Sequence, residues 1–167
     1  MDLKKHTQIA MLLSLAVVLN VVENMIPILG GQIPGLKLGL ANILIIFVLY
    51  TFSFKDALYL SILRVFLVSI LYTGLFSPAF FFSLSGAFLS IIFMSFAKNV
   101  LKLSVIGVSV IGSVFHSVGQ ILVAILILKE MNIIYLLPWL IIFSIITGII
   151  IGVISKHTIN RLESYCI

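Results

Sequence analysis

Apolar runs separated by short polar breaks make up most of the chain. Runs of this length with so few charges are typical of helices that cross a lipid bilayer. Six runs are present, and we predict a transmembrane helix in each of them. They cover residues 7–24, 38–52, 55–72, 78–96, 103–128 and 135–155.

The segment between the first two predicted helices, residues 27–37, is apolar but contains two prolines and three glycines. That composition is incompatible with a regular helix. Irregular backbone at membrane depth is tolerated only where protein or a water-filled cavity covers it. We therefore expect an irregular external loop here, which forms a lid or re-enters the membrane.

Composition supports the same fold class. Of the 167 residues, 62% are hydrophobic and 9% are charged, whereas a soluble domain has about 25% charged residues. We predict an all-α integral membrane protein, a six-helix bundle that forms a single transmembrane domain over residues 1–167. The net charge of +5 comes from scattered single basic residues, a pattern that does not indicate nucleic-acid binding.

The distribution of basic residues predicts the orientation. With the N-terminus inside, the cytoplasmic side receives Lys4, Lys5, Lys55, Lys98, Lys102, Lys156 and Arg161, and the external side receives Lys37 and Lys129. This asymmetry follows the positive-inside rule. We therefore expect both termini in the cytoplasm, which requires an even number of spans.

A few strongly polar side chains interrupt the apolar runs: Asn20 and Glu23 in the first predicted helix, Arg64 in the third, and His116 and Gln120 in the fifth. An ionisable group within a span costs at least about 2.5–3.5 kcal/mol, so it needs a partner or water. The predicted topology places these groups from the middle to the external end of the bundle. We expect them to meet in a solvated cavity beneath the first loop.

Spacing supports faces that point inward. Four polar side chains follow i, i+4, i+7 and i+11 on the fifth helix: Ser109, Ser113, His116 and Gln120. Ser61, Arg64 and Tyr72 fall near one face of the third helix. Positions at these intervals share one side of an α-helix, as the wall of a cavity requires.

Purely structural explanations stay open for these residues. Arg64 could serve only to neutralise Glu23, or to cap backbone carbonyls. His116 and Gln120 could serve only as hydrogen bonds between helices. Lys37 could be an anchor at the membrane interface, and Glu23 could lie at a solvated helix end.

Small residues at four-residue spacing mark close helix contacts. Ala10 and Ser14 follow this spacing in the first helix, and Ser144, Gly148 and Gly152 follow it in the sixth. Such faces let two helices approach closely. They serve either internal packing or docking to another membrane subunit, and the sequence leaves both open.

Signals of catalysis are missing from the sequence. There is no glycine-rich nucleotide loop, and Asp2 and Asp56 are the only aspartates. A prenyl diphosphate synthase needs clustered aspartates to hold magnesium. The single cysteine, Cys166, cannot form a multi-cysteine metal site. We expect no catalytic residue, no cofactor and no resident metal.

Three motifs resemble one family of membrane proteins. Residues 34–43 read PGLKLGLANI, residues 107–120 read GVSVIGSVFHSVGQ, and residues 82–87 read FSLSGA. Together with Arg64 they resemble the Gx transporter family, also labelled heptaprenyl diphosphate synthase component I, over nearly the whole chain. Ser117 departs from the family pattern, in which Asn is expected beside the histidine.

This family is similar to the S components of energy-coupling factor (ECF) transporters, which are small six-helix proteins that bind a vitamin or related micronutrient from outside. The resemblance implies a multi-pass protein of a bacterial plasma membrane. It also implies two kinds of partner, a transmembrane coupling subunit and cytoplasmic ATPase subunits. The first helix of an S component often docks through small residues, and Ala10 and Ser14 would be the counterpart here.

The resulting hypothesis is a substrate-binding subunit for uptake of a small micronutrient with an anionic or strongly hydrogen-bonding part. Tyr72 and Phe82 would stack on a ring. The predicted binding residues are Asn20, Glu23, Lys37, Asn42, Arg64, Tyr72, Phe82, Ser83, His116 and Gln120. The alternatives are a non-catalytic membrane component associated with heptaprenyl diphosphate synthase, and a scaffold without a ligand.

Overall fold

The computed structural model describes residues 3–25 and 39–163, so the predicted loop over 27–37 lies outside the described residues. The described part of the chain is helical, without a strand. Its helices are α1 (Leu3–Met25), α2 (Leu40–Thr51), α3 (Phe54–Val68), α4 (Pro78–Asn99), α5 (Val105–Leu128) and α6 (Leu137–Glu163). A π-helical turn, Ser69–Thr73, follows α3, and a 3₁₀ turn, Met131–Leu136, precedes α6.

The prediction of six helices is therefore confirmed for the described residues. Four helical segments are long and apolar enough to cross a membrane: α1, α4, α5, and α6 with its preceding turn. Helix α2 has 12 residues and α3 has 15. A 12-residue helix is about 18 Å long, which is less than the roughly 30 Å of a bilayer core. Six full spans and their orientation remain a prediction.

Local sequence signals explain where α3, α4 and α5 begin. The Ser53 side chain accepts from the backbone N–H of Asp56, whose carboxylate accepts the Ser53 N–H, forming a capping box. Ser77 caps α4 by accepting from Phe80 N–H, with Pro78 in the first turn. Ser104 caps α5. Each cap satisfies backbone donors that a helix leaves open at its start.

The short helix α2 contributes seven of the seventeen buried residues in the main hydrophobic cluster. It packs against α1, α3 and α6, while α5 packs between α4 and α6, and α3 joins α4. Seven of the twelve α2 residues are buried, as expected of a helix that is apolar on all sides. Ile45, Ile46 and Leu49 are at most 2% exposed. The outer faces of the longer helices carry exposed Leu, Ile and Phe side chains, which suits contact with lipid.

Two polar contacts define one end of the bundle. Lys5 forms a 2.7 Å ion pair with Asp56, so α1 and α3 begin side by side. Lys98 Nζ donates to the Leu49 carbonyl oxygen at 2.7 Å, so α2 and α4 end side by side. We call this the basic end. At the far end of α1, Glu23 accepts the backbone N–H of Gly39.

Glycines set how closely the helices approach. A Cβ added at Gly119 would lie 2.8 Å from the Ser85 carbonyl oxygen on α4. At Gly148 and Gly152 it would lie 2.8 Å from Val110 Cα and 2.7 Å from Ile106 Cα, both on α5. Because backbone atoms occupy these positions, only glycine allows the contact. Gly148 and Gly152 therefore serve internal packing, which answers the question left open for the sixth helix.

Replacing Gly152 by Ala should lower stability. The added methyl group would separate α5 from α6, and overpacking of this kind costs about 1–3 kcal/mol. The measurement is thermal unfolding of the detergent-purified protein followed by tryptophan fluorescence. Gly107→Ala is the matched control, because its Cβ would mainly meet the Leu103 side chain, the nearest atom being at 3.2 Å. A Gly152→Ala protein as stable as Gly107→Ala would contradict the packing argument.

Candidate functional site

A polar pocket lies in the half of the bundle away from the basic end. All six helices contribute to it, α1 through its last turns and α2 through its first turn. Thirteen of its eighteen described lining residues are polar. These are Asn20, Glu23, Asn42, Arg64, Ser69, Thr73, Ser83, Ser113, His116, Ser117, Gln120, Ser144 and Thr147. Such a concentration of polar groups inside an apolar bundle requires compensation by protein, water or ligand.

The pocket is small. Its cavity volume is about 60 Å³, which is room for a few water molecules. A larger molecule would enter only if lining side chains moved.

Two opposite charges face the pocket. Arg64 on α3 is 3% exposed and Glu23 on α1 is 5% exposed. Arg64 Nη1 donates to the side-chain oxygen of Asn42 at 3.2 Å, and the Glu23 carboxylate accepts from Gly39 N–H. Both charged groups therefore hold the beginning of α2. This arrangement stabilises three helices relative to one another at the pocket wall.

Helix α5 supplies the opposite wall. Its lining residues Ser113, His116 and Gln120 follow the predicted spacing, whereas Ser109 is buried away from the pocket. Gly86 lets α4 approach this wall, since a Cβ there would lie 2.9 Å from the His116 carbonyl oxygen and 3.0 Å from its ring. The α4–α5 crossing thus fixes the position of the imidazole.

A hydroxyl pair joins α5 to α6. The Oγ atoms of Ser117 and Ser144 share a hydrogen bond of 2.6 Å, and both residues line the pocket. The family pattern predicts an Asn at this position, and this chain has Ser117 instead. In this chain, a serine at position 117 serves a contact between helices and contributes to the wall.

The π-helical turn changes which residues of the third helix face inward. Buried positions on α3 recur every three or four residues up to Val68, a pattern that would continue to Tyr72. Instead, Gly74 N–H donates to the Ser69 carbonyl oxygen at 2.8 Å, five residues earlier. The wider turn adds one residue, so Thr73 lines the pocket and Tyr72 is 52% exposed.

The predicted site residues meet only in part. Asn20, Glu23, Asn42, Arg64, Ser83, His116 and Gln120 all line the pocket. Tyr72 and Phe82 are not among its described lining residues, so the expected stacking platform is not formed by them. For Tyr72 the reason is the π turn, which the α-helical spacing did not anticipate. Lys37 lies outside the described residues.

Sequence reasoning missed several hydroxyl side chains. Ser69, Thr73, Ser144 and Thr147 line the pocket but were not predicted as site residues. Serine and threonine are common in packed transmembrane helices, so they give no signal by themselves. The pair Ser144 and Thr147, three residues apart on one face of α6, is a pattern that could have indicated this wall.

The proposed docking residues lie elsewhere. Ala10 and Ser14 are exposed on the outer face of α1, and Ser14 Oγ donates to the Ala10 carbonyl oxygen at 3.0 Å. The described part of the chain contains no cluster of three His, Cys, Asp or Glu side chains suited to a metal ion. The polar pocket is thus the candidate site that the described residues provide.

These features define a helical membrane protein with a polar pocket inside an apolar bundle. A family model described as heptaprenyl diphosphate synthase component I matches residues 12–158. The chain belongs to this family, as the motif resemblance predicted. Neither a curated protein nor a solved structure matches the chain.

The register of the π turn can be tested with single tryptophans. In a Trp139→Phe background, Tyr72→Trp should be quenched strongly by phosphatidylcholine with brominated chains, because residue 72 faces outward. Thr73→Trp should be quenched several-fold less, because residue 73 lines the pocket. The measurement is fluorescence in reconstituted vesicles. Equal quenching at both positions, or the reverse order, would contradict the one-residue shift.

Proposed function

We propose that this chain is the substrate-binding membrane subunit, or S component, of an ECF-type importer for a small micronutrient. The observation that carries the proposal is the polar pocket built from all six helices around the buried Arg64. Polar and charged groups inside a membrane bundle are costly and typically mark a substrate path or site. The chain would then bind the compound, and partner subunits would supply the energy.

The side chains of the pocket support recognition by hydrogen bonding. Asn20, Asn42 and Gln120 can each donate and accept, and His116 adds an imidazole. Arg64 provides a planar donor suited to an anionic or strongly hydrogen-bonding group. A ligand that satisfies these groups together would bind tightly, because leaving any of them unpaired is costly.

Removing Arg64 should abolish retention of the bound compound. Protein purified in detergent from its own membranes is analysed by mass spectrometry for retained small molecules. We expect Arg64→Ala to lower the amount retained per protein by at least about tenfold, because truncating a buried charged partner costs about 2–5 kcal/mol. Arg64→Lys should give partial rescue, since it keeps the charge but loses the planar fork.

Lys98→Met is the matched control for this experiment, because Lys98 is a cationic side chain at the basic end, away from the pocket. It should leave retention unchanged. If Arg64→Ala kept the same compound at wild-type levels, the proposed site would be wrong.

The family description supports a second candidate function. The matched family is named for component I of heptaprenyl diphosphate synthase, so the chain could be a non-catalytic membrane component associated with a soluble synthase. The buried Arg64 would then contact a diphosphate group. In this case the partner would be an aspartate-rich enzyme rather than ATPases.

Co-purification separates the two candidates. With an affinity tag on the chain, we expect a transmembrane coupling subunit and ATPase subunits to co-purify. Replacing Ala10 and Ser14 by Leu should reduce their recovery several-fold, because the larger side chains would prevent close helix approach. The control is Leu126→Trp on α5, which is also an exposed position. Recovery of an aspartate-rich synthase instead would favour the second candidate.

A further inference from the structure

The formal charges of the described lining residues cancel. Among the described lining residues, Arg64 is the one Lys or Arg side chain and Glu23 is the one Asp or Glu. Both are at least nine-tenths buried. A buried charge is tolerated when an opposite charge and hydrogen bonds compensate it. A ligand with several negative charges would bring charge that this pocket does not balance.

The wall of the pocket is also unsuited to a hydrocarbon chain. Seven lining residues carry hydroxyl groups, whereas four carry apolar side chains: Val65, Val68, Leu140 and Phe143. Five of these hydroxyl groups already form hydrogen bonds within the protein, as in the Ser117–Ser144 and Thr73–Ser69 pairs. Binding of a prenyl chain would therefore be opposed mainly because the chain displaces water from the remaining polar and charged groups of the wall.

Two buried polar atoms indicate what the ligand must offer. Arg64 Nε and Gln120 Oε1 have no hydrogen-bond partner among the described residues. The first is a donor and the second an acceptor. Both atoms are almost inaccessible to water in this conformation, so water or a ligand reaches them only when the lining side chains move. A ligand that satisfies them presents an acceptor toward α3 and a donor toward α5.

We infer that the pocket selects a small hydrophilic molecule that is neutral or zwitterionic overall, and that it excludes prenyl diphosphates. The inference rests on the proposed function, since it names the substrate class of the same pocket. The sequence led us to expect a ligand with an anionic or a strongly hydrogen-bonding group. The inference retains the strongly hydrogen-bonding group and drops the anionic one. Glu23, which supplies the negative charge of the described lining, would be the residue that sets this selectivity.

The test uses inorganic pyrophosphate and farnesyl diphosphate as probes, each at about 1 mM, with thermal unfolding as the readout of binding. Wild-type protein should show no stabilisation by either probe. Glu23→Gln should bind pyrophosphate at least about tenfold more tightly than wild type, because it leaves Arg64 uncompensated while an amide oxygen can still accept from Gly39 N–H. Glu130→Gln removes the same charge at an exposed position and should behave as wild type.

A second measurement needs no variant. The compound retained by wild-type protein is identified by mass spectrometry, and it should lack phosphate and carry no net charge at neutral pH. Stabilisation of wild type by either probe, or a phosphorylated retained compound, would overturn the inference. So would a well-folded Glu23→Gln protein that gains no affinity for pyrophosphate. A failure of the transport proposal would give a different result. Purified wild-type protein would then carry no retained compound, and no coupling partners would co-purify with it.

Discussion

The organisation of this bundle depends on compensating a cation and an anion that are removed from both water and lipid. Arg64 and Glu23 come from different helices and both contact the beginning of α2, through Asn42 and Gly39. A buried charge without partners would cost far more than the few kcal/mol that separate folded from unfolded protein. These contacts therefore specify how α1, α2 and α3 meet, and the pocket forms where they meet.

The length of α2 explains why the pocket lies in one half of the bundle. Its apolar residues fill the interior toward the basic end, where Lys98 caps the Leu49 carbonyl. Only its first turn reaches the pocket. Beyond this turn, the described wall of the pocket consists mainly of polar side chains from the other helices.

Hydrophobic patterning predicted much of the fold, because long apolar runs are local signals. Five helices lie within about four residues of the predicted ranges, whereas α6 continues to Glu163, beyond its predicted end at residue 155. Ser113, His116 and Gln120 share one wall as their spacing predicted, but Ser109 does not reach the pocket. The failures have specific physical causes. The π turn after Val68 moves Tyr72 outward and Thr73 inward. The spacing of residues in a regular α-helix does not predict such a turn. Close approach at Gly86 and Gly119 depends on which helices are neighbours, which the spacing within one helix does not determine.

The composition of the pocket is the reason we propose a ligand. A buried cation and anion that only join helices need their two charges and their immediate partners. Here the surrounding wall adds seven hydroxyl groups, and Arg64 Nε and Gln120 Oε1 are buried without a partner among the described residues. Apolar side chains of similar size would stabilise a scaffold better. Retaining costly polar atoms is consistent with a site whose hydrogen bonds are completed when a molecule binds.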